Sequence, residues 1–197
     1  MPFVRIVRVG APASTTLPDM DEDALISTGR LDLPLLSLEQ LDRLASGDAA
    51  SVGSELGASL SEAWLLEVRR LAAFRAEQIR RRPADAPWLL RPILLRGDDG
   101  SSSAVGHLNF HGDPDEHGMV EVGYSLLPGA RGQGYAIEAV RAAFDWATRV
   151  HGVRRFRASV APGNERSLNL IAKLGFRHTG EQWDEEDGLE LVFELEV

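Results

Sequence analysis

The order of elements along this chain predicts an α+β fold: a mixed, mostly antiparallel central sheet of about six to seven strands, flanked by four helices. Three observations carry that expectation. Apolar and polar residues alternate in short segments separated by tight turns, which is hairpin spacing. Stretches of helical period stand before and after this run of strands, where they cover the sheet faces and supply crossovers. In the second half a strand runs into a glycine-rich loop, Arg131-Gly132-Gln133-Gly134-Tyr135-Ala136, and the loop opens a helix.

Each element has a local reason. Phe3, Val4, Ile6, Val7 and Val9 have the content of a short strand, and the polar, proline-bearing stretch Pro12–Asp23 reads as a loop. Arg30–Leu35 is a clearer strand. Ser37-Leu38-Glu39-Gln40 is a capping box, so a helix follows, with Leu38, Leu41 and Leu44 as its apolar face and Gly47 as its stop. Ser51–Gly57 is small and polar and reads as a loop. Ser61 caps the next helix, Glu62 to about Arg82, in which Trp64, Leu65, Val68, Leu71, Ala72 and Ile79 recur at helical spacing. Its basic end suits the negative pole of the helix dipole, and Pro83 and Pro87 forbid continuation.

Trp88–Arg96 is a strand with a proline inside, which predicts an edge position or a bulge. The turn Gly97-Asp98-Asp99-Gly100 leads into strand Ala104–His111, where His107, Asn109 and His111 share a face. From Met119 the next strand alternates Val120, Val122, Tyr124 and Leu126 with Glu121, Gly123 and Ser125, and Pro128-Gly129 ends it. The helix after the glycine loop spans about Gly132–His151. Arg155–Ala161 is a strand. Asn164 caps the short helix Glu165–Leu174, and Gly175 fits a left-handed C-cap. Phe176–Trp183 and Leu189–Leu195 are two strands joined by an acidic tip, Asp184-Glu185-Glu186-Asp187-Gly188.

Composition narrows the function. A chain of 197 residues without cysteine has no disulfides, thiolate metal sites or cysteine nucleophile. Arg5 and Arg8 interrupt the apolar N-terminus, so it is not a signal peptide, and no apolar run approaches the ~20 residues of a membrane helix. A cytoplasmic protein without membrane or direct nucleic-acid partners is expected. The formal net charge of −9 favours cationic or amine-bearing partners, or serves solubility alone.

A strand, a bare glycine backbone and a helix N-terminus together make an anion site. Free N–H groups point outward there, and the helix dipole favours negative charge. The loop spacing is neither the dinucleotide fingerprint nor a P-loop. Arg131, Gly134 and Ala136, followed by Asn164, Ser167 and Lys173-Leu174-Gly175-Phe176, resemble the two motifs of the GNAT superfamily of N-acetyltransferases. Glu121-Val122-Gly123-Tyr124 looks like its ribosomal-protein alanine N-acetyltransferase branch. The resemblance spans residues 28–197 as one acetyltransferase domain and leaves 1–27 as an N-terminal extension, a short strand or arm.

The resemblance implies acetyl transfer from acetyl-CoA to a primary amine, with no metal and with homodimers frequent. Leu126, Arg131, Gly132, Gln133, Gly134, Tyr135, Ala136, Asn164, Ser167 and Lys173 would hold the co-substrate. A backbone N–H within Tyr124–Leu127 would polarise the thioester carbonyl. Glu121 is the favoured base, directly or through water. The alternative is that it only bonds backbone or orients substrate. His107 and His111 are the next candidates for a base. Ser167 would protonate the leaving thiolate. Many members carry a tyrosine acid seven residues after the asparagine, and here that position is Ile171. The acceptor is a protein or peptide N-terminus, or else a small amine such as an antibiotic, polyamine or amino acid. A non-catalytic acetyl-CoA-binding module is the third reading.

Overall fold

In the computed structural model, which describes residues 23–185 and 188–197, one sheet organises the molecule. Its strands are β1 (Leu25–Ser27), β2 (Leu31–Pro34), β3 (Arg91–Arg96), β4 (Ser102–Phe110), β5 (Met119–Leu126), β6 (Arg155–Val160), β7 (Arg177–Asp184) and β8 (Gly188–Glu196). They lie in the order β1-β2-β3-β4-β5-β6-β8-β7. Every neighbouring pair is antiparallel except β5 and β6. Five α-helices lie wholly within the described residues: α1 (Leu38–Ser46), α2 (Ala49–Leu56), α3 (Glu62–Arg81), α4 (Tyr135–His151) and α5 (Glu165–Leu174).

The mixed, mostly antiparallel sheet is the predicted one, but it has eight strands rather than six to seven. The addition is β1, whose three residues are too few to show an alternation. The helix count is also higher. Ser51–Gly57, read as a loop, belongs to α2. There Asp48 accepts from the Ser51 N–H as N-cap, and Val52 and Gly53 are buried. Trp88 falls in a 3-10 turn, Pro83–Trp88, so β3 starts only at Arg91. Strand β3 is interior, and its register shifts between Ile93 and Leu94; of the two readings of Pro92, the bulge is the one found. The expected strand around Phe3–Val9 lies outside the described residues, as does most of the loop after it.

The caps behave as expected. Ser37 and Gln40 form the reciprocal capping box, and Gly47 and Gly175 adopt left-handed conformations at their helix ends. Two apolar layers form, one on each sheet face. On one face α4 and α5 pack with Phe110, Val120, Val122, Phe144 and Phe156. On the other, α1 and α3 enclose Leu41, Leu44, Trp64, Val68 and Leu94. Trp64 is fully buried, and its indole N–H donates to the Gly106 carbonyl at 2.7 Å. Removing such a side chain costs about 3–5 kcal/mol. Among the described residues, no helix is long and apolar enough to cross a membrane.

His107, on β4, is buried at 9% exposure, and its Nδ1 has no protein partner. Burial pushes its pKa down to about 4 from 6.5, against a weaker opposing pull from Glu67. The unfolded chain therefore binds this proton as pH drops below 6.5, while the folded protein resists it until about 4. Folding stability should fall by about 3 kcal/mol over that window from this residue. Denaturant unfolding at a series of pH values is expected to show this slope in the wild type and a flatter one in His107→Gln.

Candidate active site

The site is built where β5 and β6 part. They pair at Met119–Arg155, Val120–Phe156 and Glu121–Arg157, and pairing ends there. Beyond Glu121, β5 continues beside β4 and β6 continues beside β8. The His111 N–H donates to the Glu121 carbonyl, and the Leu127 N–H donates to the Val105 carbonyl. Odd-numbered residues of β5 thus aim their backbone groups at β4. By the alternation of an antiparallel ladder, Val122, Tyr124 and Leu126 aim theirs toward the gap. That leaves an open strand edge inside the fold, a ready template for an extended partner.

Two cavities follow from the parting. A cleft of about 660 Å³ is lined by Tyr124, Leu126, Arg131, Gly132, Gly134, Tyr135, Ala136, Asn164, Ser167 and Lys173, among others. A smaller one, of about 240 Å³, sits between the separated strands. Tyr124, Ser167 and Ile171 line it from the α5 side, and Ser159 and Glu190 from the opposite face of the sheet. The gap therefore links the two faces.

The cleft suits a polyanion. Gly132 and Gly134 have φ of 78° and 81°, left-handed backbone that glycine adopts freely. This is also why α4 begins at Tyr135 and not at Gly132. No side chain caps α4, so its first N–H groups face the cleft uncompensated. Arg131, Arg166 and Lys173 line it and, among the described residues, no carboxylate does, although the chain as a whole is acidic. The Arg131 Nε donates to the Leu126 carbonyl at 2.9 Å, which fixes the guanidinium at the cleft edge. Asn164 caps α5 by accepting from the Ser167 N–H at 3.2 Å, and the Ser167 hydroxyl meets Tyr124 Oη at 3.2 Å. Gln133 alone of the expected co-substrate residues does not line this cleft. It borders a neighbouring apolar pocket, and its carbonyl accepts from Arg30.

Glu121 faces the other side of the sheet. It accepts from the Ser159 hydroxyl at 2.6 Å, and its Oε1 lies 3.8 Å from His111 Nδ1. Ser159 in turn accepts from the Gln182 amide, which also donates to Glu190. Burial lowers the His111 pKa; Glu121 pulls it the other way and the Arg75 cation lowers it further. A groove of about 470 Å³ surrounds Glu121 and His111, with Asp85, Asp113, Asp115 and Glu116 against Arg82 and Arg157. His107, the other histidine candidate, is buried away from this groove.

With this geometry in place, sequence decides the family and solved structures show the shared fold. The sequence model of the acetyltransferase (GNAT) domain matches residues 40–177. The chain belongs to the GNAT acetyltransferase family. Its curated relatives include the uncharacterized N-acetyltransferase YjdG of Bacillus subtilis, 29% identical over 156 residues, covering 77% of this chain and 89% of the relative. Ribosomal-protein-S5-alanine acetyltransferase from Vibrio fischeri shares the fold at a TM-score of 0.59 and 15% identity, covering 87% of this chain and 96% of that one. RimJ of Mycobacterium smegmatis, solved with CoA-disulfide, does so at 0.56 and 17%, covering 85% and 82%. Acetyl-CoA is the family's co-substrate, and the cationic cleft with its uncapped helix fits a molecule bearing phosphates.

Sequence reasoning missed several groups here. Ser159 and Gln182 carry no motif and enter only through their hydrogen bonds beside Glu121, while Tyr124 stands in the branch motif without a role for its hydroxyl, which the bond to Ser167 on the other face supplies. Arg30 is the largest omission. It donates twice to Glu138, at 2.8 and 2.5 Å, reaches the Gln133 carbonyl at 3.1 Å, and lies 4.7 Å from the Tyr135 ring centre. Burial alone would raise the Glu138 pKa, but Thr28 and Arg30 hold it low. An exposed ion pair contributes little by itself. This one clamps the glycine loop to the edge of the sheet. Arg30→Ala is expected to weaken acetyl-CoA binding about 3- to 10-fold by calorimetry, since ordering the loop then draws on binding energy. kcat should change less than twofold.

Proposed function

We propose that this acetyltransferase moves the acetyl group of acetyl-CoA to a primary amine, and that the amine is a protein or peptide N-terminus. The observation that carries the reading is the division of charge across the gap. Cations and an uncapped helix N-terminus lie on one face, and a groove rich in carboxylates lies on the other. The first suits pyrophosphate and the second a protonated amine. The Vibrio fischeri fold neighbour, named for ribosomal protein S5 alanine, supports a protein acceptor. The cytoplasm is the compartment proposed for it.

In this reading the amine enters the groove beside Glu121 and gives up its proton there. Glu121 is the base, with the Ser159 hydroxyl bonded to its Oε1, His111 Nδ1 3.8 Å from that same oxygen, and Oε2 left for the amine proton. The open N–H groups of β5 hold the carbonyl oxygen as charge develops on it. Leu126, the glycine loop from Gly132 to Ala136, Asn164 and Lys173 hold the CoA portion, and Arg131 stands at its edge. Ser167 returns a proton to the departing sulfur.

Glu121→Gln keeps the shape and the bond from Ser159 but cannot take a proton. It is expected to lower kcat about 100-fold or more, the usual worth of a general base, with acetyl-CoA affinity unchanged. A thiol-release assay against N-terminal peptides and small amines measures both this and acceptor class. Turnover within twofold of wild type would remove Glu121 as the base. A preference for polyamines or antibiotics over every peptide would move the acceptor to the small-amine class.

A further inference from the structure

A serine hydroxyl is a poor acid unless something supplies it with a proton. The Tyr124 hydroxyl stands 3.2 Å from Ser167 Oγ, across the gap between β5 and α5. Both side chains line the 240 Å³ cavity and the co-substrate cleft together. Helix α5 offers no acid of its own facing that cavity, because the inward positions Leu170, Ile171 and Leu174 are aliphatic. The other tyrosine of the cleft, Tyr135, lies at the start of α4 against Arg30.

We propose that Tyr124 is the proton source for the leaving thiolate and that it acts through Ser167. The inference rests on the acetyl-transfer reading above. Between the two hydroxyls the phenol is the stronger acid, so it donates and Ser167 Oγ accepts. Ser167's own O–H must then point elsewhere, and the cleft is the open direction. As the C–S bond breaks, its electron pair goes to sulfur. The Ser167 proton passes to that sulfur, the Tyr124 proton passes to Ser167 Oγ, and the phenolate regains a proton from water. The proton that Glu121 took from the amine is released to water, so the balance closes. Burial raises the Tyr124 pKa against a smaller opposing effect of the Ser167 bond, which keeps the phenol protonated throughout the neutral range. The strand thus carries the phenol that helix α5 lacks at Ile171.

Two measurements on the full chain test this. In steady-state kinetics Tyr124→Phe should lower kcat about 10-fold or more while the KM for acetyl-CoA and the Tm stay near wild type. Ser167→Ala should do the same, and the double variant should be no slower than the slower single one, as for two members of one relay. Losses that multiply, or a higher KM with unchanged kcat, would overturn the relay and leave Tyr124 as a wall of the cleft. The second measurement needs no acceptor. Free CoA is bound and its thiol titrated by thiolate ultraviolet absorbance. A proton donated toward sulfur stabilises the thiolate, so bound CoA should titrate lower in wild type than in Tyr124→Phe, by about half a pH unit or more. Equal titration overturns the proposal, and failure of wild type to bind CoA at all overturns the co-substrate reading along with it.

Discussion

The rest of the site depends on one parting of strands. Three register pairs hold β5 to β6, and then the two diverge. An unpaired strand edge inside a protein is costly, since each buried backbone group without a partner forfeits about 1–3 kcal/mol. Here the cost is met by exposure to a cleft, where water or a ligand can supply the missing bonds. The same divergence makes room for α5 to lay Leu170, Ile171 and Leu174 against the gap. It also puts the Tyr124 face of β5 in one chamber and the Glu121 face in another, though the two residues are only three apart. A single strand therefore borders both chambers.

Charge follows that division. The acidic net charge says little about either chamber taken singly. The cleft beside the glycine loop is lined by Arg131, Arg166 and Lys173, while the groove around Glu121 holds most of the carboxylates nearby. A bulk property read from composition averages these away. Near the two chambers, the excess of acid residues that composition reports is concentrated in the groove, and the positive character of the cleft comes from backbone and helix dipole as much as from side chains.

What was legible in the sequence was local. Caps such as Ser37 with Gln40, Asn164 and Gly175 are written within a few residues of where they act, and so is the glycine loop. What was not legible divides in two. Helix α2 is hidden by its own composition: Ser51, Gly53 and Ser54 favour a loop in isolation, and the helix exists because Val52 and Gly53 pack. A Cβ on Gly53 would come within 2.6 Å of the Ala58 carbonyl, so small size is a packing requirement there and not a loop signal. The second group is non-local. Tyr124 meets Ser167 across 43 positions, and Arg30 meets Glu138 across 108. No periodicity reports such pairs, because they are products of sheet order.

The N-terminal edge of the sheet shows the same point from the side of stability. Arg91 is fully buried, yet it donates to the carbonyls of Leu33, Asp23 and Pro87 and lies 4.8 Å from the Trp146 ring centre. Burial lowers its pKa to about 10, which still leaves it charged at neutral pH. A buried cation with this many acceptors is costly to strand, so the carbonyls of Asp23 and Leu33 are held in place by the need to satisfy it. The Asp23 carboxylate is held in turn by His151 at the end of α4, at 2.8 Å. Helix α4 is therefore tied at its C-terminal end to the chain entering β1, and at its N-terminal end, through Glu138, to the Arg30 turn that leaves β1. The helix whose N-terminus faces the cationic cleft is thus gripped at both ends by the first strands of the sheet. The strand and turn around β1, which carry no motif, share in positioning the glycine loop.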